Sequence, residues 1–171
     1  MQVSQLVTHP LPPIFDKQSR VLLLGTMPSP LSRELGFHYA NPRNRFWPVI
    51  AALWQEEKPS TDAERRDFCR RHRLAIDDVL ASCHISGAAD STITDAVPND
   101  LHRICDCASI QKVFCTGATA THLYRKLIEP SLGLPCVQLP STSPANARMR
   151  LADLIVAWEP VRIAADEAGE L

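Results

Sequence analysis

The sequence contains no run of about 18 apolar residues, so it offers no segment long enough for a transmembrane helix. Its amino terminus lacks a basic segment followed by an apolar stretch, which argues against secretion and predicts a cytoplasmic protein with no membrane partner. Internal repeats and low-complexity stretches are absent too. The 171 residues are 45 % apolar, which is typical of one globular domain with a sizeable core.

The six cysteines lack the spacing of a metal site. Cys105 and Cys107 form a C-x-C pair, but no second pair and no histidine follows at zinc-finger distance. Cys115 and Cys136 fall in predicted buried strands, where cysteine commonly acts as a small apolar side chain. We therefore expect reduced cysteines, and neither a metal nor a cofactor.

The sequence also lacks an excess of positive charge, since 18 Lys and Arg stand against 19 Asp and Glu, for a net charge of −1. This balance by itself argues against a nucleic-acid partner. The charges are unevenly distributed, however, because residues 164–171 hold acids and no base. Positive charge is concentrated in three segments: at Arg43 and Arg45, at Arg148 and Arg150, and at five arginines within 65–73, the last of which we interpret as the solvated face of a helix.

Apolar patterning predicts strands that alternate with helices along a single domain, residues 1–171. Strands are predicted at 19–24, 112–115 and 136–139, with an ambiguous segment at 74–81, and helices at 44–54, 60–73, 99–108, 118–128 and 145–158. Residues 1–19 are expected to form an irregular lead-in, 82–98 a polar loop and 159–171 an acidic tail. Such alternation is typical of a helix-covered, largely parallel sheet.

Two loops of small residues directly follow predicted strands. One loop, Gly25 to Pro30, follows the apolar run 21–24, and the other, Pro140 to Asn146, follows 137–139. Parallel strands bring such loops to one edge of the sheet, where ligands bind in open α/β folds. Between them in sequence, residues 37–47 combine aromatics, amides and arginines, a mixture suited to holding a planar base beside a phosphate backbone.

Three motifs in this order resemble those of the uracil-DNA glycosylase superfamily, and most closely its hypoxanthine-DNA (deoxyinosine) glycosylase branch. They are Leu24-Gly25-Thr26-Met27-Pro28-Ser29, Tyr39-Ala40-Asn41-Pro42-Arg43-Asn44-Arg45-Phe46-Trp47 and Leu139-Pro140-Ser141-Thr142-Ser143-Pro144-Ala145-Asn146. The segment 78–83, followed by Gly87, Asp90 and Ser91, is similar to that branch too, so the resemblance covers residues 20–158. It implies an α/β fold, a three-layer α-β-α sandwich around a short, largely parallel sheet of four to five strands.

Two departures within the motifs separate the chain from the uracil-specific branch. Met27 stands where most members of the superfamily carry the Asp or Asn that serves the attacking water, and Ser143 occupies part of the motif in which the uracil-specific branch has a His. In the hypoxanthine branch the catalytic amide comes instead from the segment after the first loop. The resemblance therefore implies Asn44 as the catalytic residue, with Asn41 as the nearby alternative.

The resemblance also implies a contact surface for a flipped-out base and the DNA around it. Base-binding roles fall on Gly25, Thr26, Met27, Pro28, Ser29, Tyr39, Asp90 and Ser143, and DNA-binding roles on Arg43, Ser141, Thr142, Pro144, Ala145, Asn146 and Arg148. Three of the residues with an implied role also have an ordinary structural alternative: a helix cap for Asn44, a half-buried ring for Tyr39 and a loop-stabilising turn for Asp90.

Together these features predict a monomeric, monofunctional DNA glycosylase that hydrolyses the N-glycosidic bond of a deaminated base, with hypoxanthine as the first choice, in double-stranded DNA during base excision repair. No Lys occurs in the three motifs, so an imine-forming lyase step is not expected. A mismatch-specific uracil or thymine glycosylase is the alternative enzyme. A damage-binding module without chemistry and a nucleoside hydrolase are the alternatives from other classes.

Overall fold

Strands and helices alternate along most of the chain in the computed structural model, which describes residues 3–170. The strands are β1 (Gln5–Thr8), β2 (Val21–Gly25), β3 (Leu74–Asp78), β4 (Leu80–Ile85), β5 (Thr94–Pro98), β6 (Lys112–Thr116) and β7 (Cys136–Leu139). The helices are α1 (Pro30–Leu35), α2 (Phe46–Leu53), α3 (Asp62–Arg71), α4 (His102–Cys105), α5 (Ala118–Leu127), α6 (Glu129–Leu132) and α7 (Leu151–Glu167). None of the helices in this part of the chain is both long and apolar enough to cross a lipid bilayer.

A four-stranded parallel sheet in the order β3-β2-β6-β7 forms the centre of the molecule. All five residues of β2 are buried, because both faces of the sheet are covered and side chains on either face meet an apolar layer. This explains why β2 is a continuous run of Val and Leu rather than an alternating pattern. The register pairs Gly25 with Asp78 and Leu24 with Cys115, so the ends of β2, β3 and β6 lie side by side.

Each face of the parallel sheet has its own apolar core. On one face, Leu22 and Leu24 belong to a cluster that includes Tyr124 of α5. On the other face, Leu23 belongs to a cluster built from α2, α3 and α7, the last of which contributes Trp158. The layers of helix, sheet and helix confirm the predicted three-layer α-β-α sandwich, with four strands in its parallel sheet.

The amino-terminal segment is not the irregular lead-in expected for residues 1–19. Residues 1 and 2 lie outside the described part of the chain, but β1 follows directly and pairs antiparallel with β4, where Val7 lies opposite Cys83. Further along, Ile14 exchanges two backbone hydrogen bonds with Ile76. The partners of this segment lie far away in the sequence, so no local pattern could reveal the pairing.

Residues 82–98 do not form the expected polar loop, since they contribute most of β4 and all of β5. Together with β1 they build a second, antiparallel sheet in the order β1-β4-β5. Cys83 and Ile85 of β4 are buried whereas Ser82 and His84 are half-buried. One face of β4 therefore packs on the core, and the polar residues of the other face give the segment its loop-like composition.

The predicted acidic tail, residues 159–171, is instead helical as far as Glu167, the last residue of α7. Residue 171 lies outside the described part of the chain. Pro160 removes one helical hydrogen bond and ordinarily marks a break. Val161 and Ala165 beyond it are nevertheless buried in the core, and this apolar burial carries the helix past the point at which the sequence predicts its end.

The other predicted elements are present, most with shorter bounds. α3 starts at a capping box, in which the Thr61 hydroxyl accepts from the Glu64 backbone and the Glu64 carboxylate accepts from the Thr61 backbone. α2 starts at Phe46 rather than at 44, and the helix predicted from 145 starts at Leu151. The residues that were predicted to begin these two helices, but lie before their observed starts, help to form the border of a cleft at the end of the parallel sheet.

Candidate active site

A cleft of about 560 Å³ opens where the parallel strands end. Four segments supply most of its lining: the first loop, 25–29, after β2; the segment 38–44; the β4–β5 connection, 85–91; and the second loop, 141–145, after β7. The two loops predicted to meet at one edge of the sheet therefore do so. The size is typical of a site that encloses one small molecule or one extruded group.

Most of the predicted site residues line this cleft. They are Gly25, Thr26, Met27, Pro28, Ser29, Tyr39, Asn41, Asn44, Asp90, Ser141, Thr142, Ser143, Pro144 and Ala145. Arg43 and Arg148 lie outside its lining and are exposed. Asn146 also lies outside and braces the second loop, since its Nδ2 donates to the Ser141 carbonyl at 2.9 Å.

Asn44 lies at the border between the segment 38–44 and the second loop. Its Oδ1 accepts two hydrogen bonds at 2.9 Å, one from the Phe46 backbone N–H and one from the Thr142 hydroxyl. Because a backbone N–H can only donate, these contacts fix which end of the amide is the oxygen. No hydrogen bond within residues 3–170 engages Nδ2. Asn44 precedes the N-cap residue of α2, Arg45, and binds the first N–H of that helix, so the helix-cap alternative holds only in this looser form, and Nδ2 remains a donor on the cleft side.

Arg45 ties the second loop to the start of α2. Its side chain and backbone donate to four carbonyl groups of the chain around that loop, those of Thr142 (3.0 Å), Ser143 (2.8 Å), Asn146 (2.9 Å) and Met149. One planar cation therefore satisfies several acceptors of an irregular segment. The guanidinium of Arg45 is bound by backbone carbonyl groups, whereas that of Arg43 is exposed. Arg45 therefore holds the second loop beside Asn44.

Tyr39 and Asn41 are each anchored by the fold and also line the cleft. Tyr39 has a left-handed backbone, with φ 57°, and its ring stacks on Phe46 with centroids 3.8 Å apart. The ring is half-buried, and burial of the hydroxyl raises the pKa of Tyr39. Asn41 accepts from the Arg43 backbone N–H through Oδ1 at 2.9 Å. Stacking occupies one face of the Tyr39 ring, so only its other face is available to a ligand.

Sequence reasoning missed a buried charged cluster at the base of the cleft. Asp78, the last residue of β3, lines the cleft, and its Oδ2 lies 2.9 Å from His9 Nε2 and 3.3 Å from His38 Nδ1. Asp77 lies 3.2 Å from His9 and pairs with Arg103 at 3.1 Å. The sequence feature that could have revealed this cluster is the pair Asp77 and Asp78 at the end of an apolar segment. Other lining residues that were missed include Ser32, Arg33, Ile85 and Thr116.

Two histidines keep Asp78 ionised. Burial alone would raise the pKa of its carboxyl, but the hydrogen bonds from His38 and His9 hold that pKa at about 2. The Leu11 N–H donates to His9 Nδ1 at 3.1 Å, which leaves the ring proton on Nε2, facing the carboxylate. His38 Nε2 donates to the Pro12 carbonyl at 3.1 Å, which turns Nδ1 toward Asp78. The amino-terminal segment therefore orients both rings.

His9, His38 and Asp78 also have the composition of a metal site, since one ligand atom of each lies within 4.8 Å of the others. A metal on His9 Nε2 would move the ring proton to Nδ1, where it would meet the Leu11 N–H at 3.1 Å. Metal-ligating histidines instead donate their second N–H to an acceptor. The hydrogen-bond pattern therefore fits a proton-bonded cluster better than a metal centre.

Acid is expected to remove the stability that Asp78 contributes. The pKa of this carboxyl is 3.8 in its ordinary state and about 2 in the fold, so the contribution is complete above 3.8 and is lost as the pH falls through 2. Between pH 5 and pH 2, the free energy of unfolding should fall by about 2 kcal/mol more in the natural protein than in Asp78→Asn. Urea titrations measure this difference, and equal losses in both proteins would contradict the assignment.

Gly25 is required because two side chains approach its backbone closely. A Cβ at this position would lie 2.5 Å from Asp78 Oδ1 and 3.1 Å from Tyr39 Oη. We expect Gly25→Ala to lower the free energy of unfolding by about 1–3 kcal/mol, because one of these groups must move. The same substitution should cost less in an Asp78→Ala background, where the methyl group has room. An unchanged cost in that double-mutant cycle would show that Asp78 is not the obstacle.

Asp90 belongs to the short 3-10 turn in the β4–β5 connection, on the cleft wall. Burial raises the pKa of its carboxyl, an effect that a hydrogen bond from Thr26 opposes. The turn itself is braced by Thr92, whose hydroxyl accepts from the Ser86 N–H at 2.9 Å and donates to the Ala89 carbonyl at 2.7 Å. Among the described residues, the side-chain hydrogen bonds that stabilise the turn thus come from Thr92, whereas Asp90 contributes its backbone carbonyl, which accepts from the Ile93 N–H at 3.2 Å.

Comparison with known proteins points to one family. A family model described as the uracil DNA glycosylase superfamily matches residues 12–162. Two curated relatives are named hypoxanthine DNA glycosylase. The protein from Methanosarcina acetivorans is 26 % identical over 144 residues, covering 84 % of this chain and 90 % of the relative, and that from Methanosarcina barkeri is 25 % identical over 138 residues, covering 80 % and 87 %.

A solution NMR structure of a candidate uracil DNA glycosylase from Methanosarcina acetivorans has the same fold. It is 23 % identical to this chain, with a TM-score of 0.75 over 92 % of this chain and 99 % of that one. This likeness agrees with the three-layer architecture. Because the family model spans most of the chain, the protein belongs to the uracil DNA glycosylase superfamily.

Proposed function

We propose that this chain is a DNA glycosylase that hydrolyses the N-glycosidic bond of a deaminated base, with hypoxanthine as the first choice, in double-stranded DNA. The observation that carries the proposal is the position of Asn44, whose amide donor is left for a cleft bounded by both strand-end loops. The names of the two curated relatives support hypoxanthine as the base. Met27, in the place of a first-loop carboxylate or amide, supports the same branch.

The chemistry requires little covalent participation by the protein. Water adds its oxygen to the sugar carbon and loses a proton, and the base leaves with the bonding electron pair and takes up a proton. Positive charge grows on the sugar and negative charge on the base, so hydrogen-bond donors aimed at the base lower the barrier. Asn44 Nδ2 is such a donor. The small residues of the first loop let backbone N–H groups approach as well.

The target base must leave the duplex to enter the cleft, which costs a few kcal/mol. The free face of Tyr39 is proposed to stack on the extruded base, a contact worth about 1–3 kcal/mol. Exposed Arg43 and Arg148 can contact phosphates on either side. We also propose that the protein acts as a monomer.

The reaction is proposed to stop at an abasic site. No lysine belongs to the cleft lining within residues 3–170, so the site offers no amine for an imine with the sugar. A mismatch-specific uracil or thymine glycosylase remains the second candidate. Met27 disfavours it, because that activity normally uses an amide or carboxylate at this position.

A strand-cleavage assay tests the proposal directly. Labelled duplexes with one inosine, uracil or xanthine are incubated with the protein and then treated with alkali, which breaks the strand at abasic sites. Cleavage at inosine above that at uracil is the expected result, and the reverse order would favour the second candidate. Binding of the inosine duplex without cleavage would identify a damage-binding module instead. Cleavage of free deoxyinosine at a comparable rate would identify a nucleoside hydrolase.

A further inference from the structure

Resting on the proposed function, we propose that Asp90 is a general acid: its carboxyl group transfers a proton to N7 of the leaving purine while the glycosidic bond breaks. The C1′–N9 bond breaks with its electron pair going to the purine, and the new N7–H bond makes the leaving base neutral. The attacking water bonds to C1′ and loses its proton to solvent. Solvent then returns a proton to the Asp90 carboxylate before the next turnover.

The leaving purine needs a proton because the bonding electron pair leaves with it. N7 carries a lone pair in the same five-membered ring as N9, the atom bonded to the sugar. A proton on N7 draws the bonding electrons toward the ring, so the glycosidic bond breaks over a lower barrier. A positioned side chain that transfers this proton typically accelerates such a step by about 10²–10⁴-fold.

The cleft lining holds one titratable side chain that is free to transfer a proton, within residues 3–170. Its titratable members are Arg33, His38, Tyr39, Asp78 and Asp90. The pKa of Asp78 is about 2, so it has no proton to give at neutral pH, and a guanidinium keeps its protons throughout. Burial raises the pKa of Tyr39, which weakens it as an acid. Both ring nitrogens of His38 are engaged, one by a backbone carbonyl and one by Asp78. Asp90 remains.

The position of Asp90 brings it to a base in the cleft. It lies on the β4–β5 connection, beside the first loop, where a hydrogen bond joins its carboxyl to Thr26. Asn44 lies beside the second loop, to which it is joined through Thr142. The cleft of about 560 Å³ has the size for one extruded group. A base held between the two loops therefore meets the amide of Asn44 from one loop and the carboxyl of Asp90 from the other.

The surroundings of Asp90 favour its protonated form. Burial and the negative charge of Asp78 raise the pKa of the Asp90 carboxyl, and the hydrogen bond from Thr26 offsets only part of this effect. Asp78 and Asp95 have histidine partners at 2.9 and 3.0 Å, whereas no ion pair holds Asp90 within the described part of the chain. A base that enters the cleft excludes more water and strengthens the same effect.

The substitution Asp90→Asn removes the transferable proton with almost no change in shape. The amide oxygen can still accept from Thr26, and the amide nitrogen can still donate a hydrogen bond to N7 without giving up a proton. At pH 6, the maximal single-turnover rate of hypoxanthine excision should fall by about 100-fold or more. The protein concentration that gives half of this rate should change by less than about threefold, because binding is kept.

The pH dependence separates proton transfer from a structural role. The charged and titratable groups around Asp90 are Arg33 of α1, Asp78 of β3 and Cys83 of β4. The ratio of the natural rate to the Asp90→Asn rate cancels every titration that the two proteins share. Above the pKa of Asp90, its protonated fraction falls about tenfold per pH unit, so this ratio should narrow by about 10- to 100-fold between pH 6 and pH 8. A constant ratio would overturn the inference.

Asp95→Asn is the matched control. It removes an acid from β5, close in sequence to the same connection, but its side chain is 77 % exposed and lies outside the cleft lining. We expect excision within about threefold of the natural protein, with the same dependence on pH. Excision by Asp90→Asn within about threefold of the natural protein at pH 6, or an equal loss in both variants, would contradict the assignment.

A modified substrate tests the natural protein without any substitution. Duplexes with 7-deaza-2′-deoxyinosine carry a C–H in place of N7 and keep the rest of the base, so their excision should be at least about 100-fold slower than that of inosine. Comparable excision of the two would overturn the role of Asp90 and leave the proposed function intact. If the natural protein excises neither hypoxanthine nor uracil, the proposed function itself fails.

Discussion

Replacing Asn44 by Ala is expected to lower the single-turnover rate of hypoxanthine excision by about 10²–10³-fold, the usual effect of removing one preorganised donor from an active site. The substitution removes the Nδ2 donor together with the acceptor for Phe46 and Thr142. Loss of these two hydrogen bonds should also lower the free energy of unfolding by about 1 kcal/mol. Rapid-quench assays with excess protein give the rate, and urea titrations give the stability.

Asn44→Asp separates the two roles of this side chain. A carboxylate keeps an acceptor for Phe46 and Thr142, so the stability should stay near that of the natural protein. Its second oxygen, however, replaces the donor by a negative charge. We expect a loss of excision at least as large as that of Asn44→Ala. Activity equal to or above that of the natural protein would show that this side chain instead acts on the attacking water, by accepting a hydrogen bond from it, and not as a donor to the base.

Replacing Arg45 by Met is expected to lower the free energy of unfolding by about 2–4 kcal/mol and to reduce excision by about 10²-fold. The apolar side chain is similar in length, but it cannot donate to the carbonyl groups of Ser143, Asn146 and Met149. These acceptors would then turn toward water, and the second loop would shift away from Asn44. Thermal unfolding and the strand-cleavage assay measure the two effects.

Arg43→Met is the control for stability, since Arg43 is exposed and lies two residues away. Its free energy of unfolding should change by no more than about 0.5 kcal/mol. A similar loss in both variants would mean that general charge, and not the hydrogen bonds of Arg45, stabilises this region. Arg45→Lys should retain only part of the stability, because an ammonium group cannot reach several carbonyl groups in one plane.

Local sequence patterns predicted those parts of the fold that need only apolar surroundings or a contact close in sequence, and not one particular distant segment. β2 was predictable because a strand buried on both faces must be apolar throughout, and α3 because its capping box lies within a few residues of sequence. The antiparallel sheet was not predictable in this way. β1 and β4 stabilise each other through pairs such as Val7 and Cys83, and the sequence of neither strand indicates which strand it pairs with.

The cleft, too, has features that local sequence predicted and features that it did not. Its two loops follow from the ends of apolar strands, and the amides and aromatics of 37–47 were visible as a group. The charged cluster was not, since His9, His38 and Asp78 come from three distant segments that meet only when β1 and β3 are in place. Nor could sequence decide between a helix cap and a catalytic residue for Asn44, because the contact of its Oδ1 with Thr142 forms only in the folded chain.

By itself, the sequence determined the layered α/β architecture, the two strand-end loops and the residue types gathered around them, because apolar periodicity and turn chemistry act over short stretches of chain. Only the tertiary structure decided which donor and acceptor atoms of the site are engaged by the rest of the protein. Which end of the Asn44 amide meets Thr142, and which oxygen of Asp78 meets His9, depend on hydrogen bonds between residues remote in sequence. Hydrogen bonds are directional and their partners are unique, so they become defined only once the whole chain is folded.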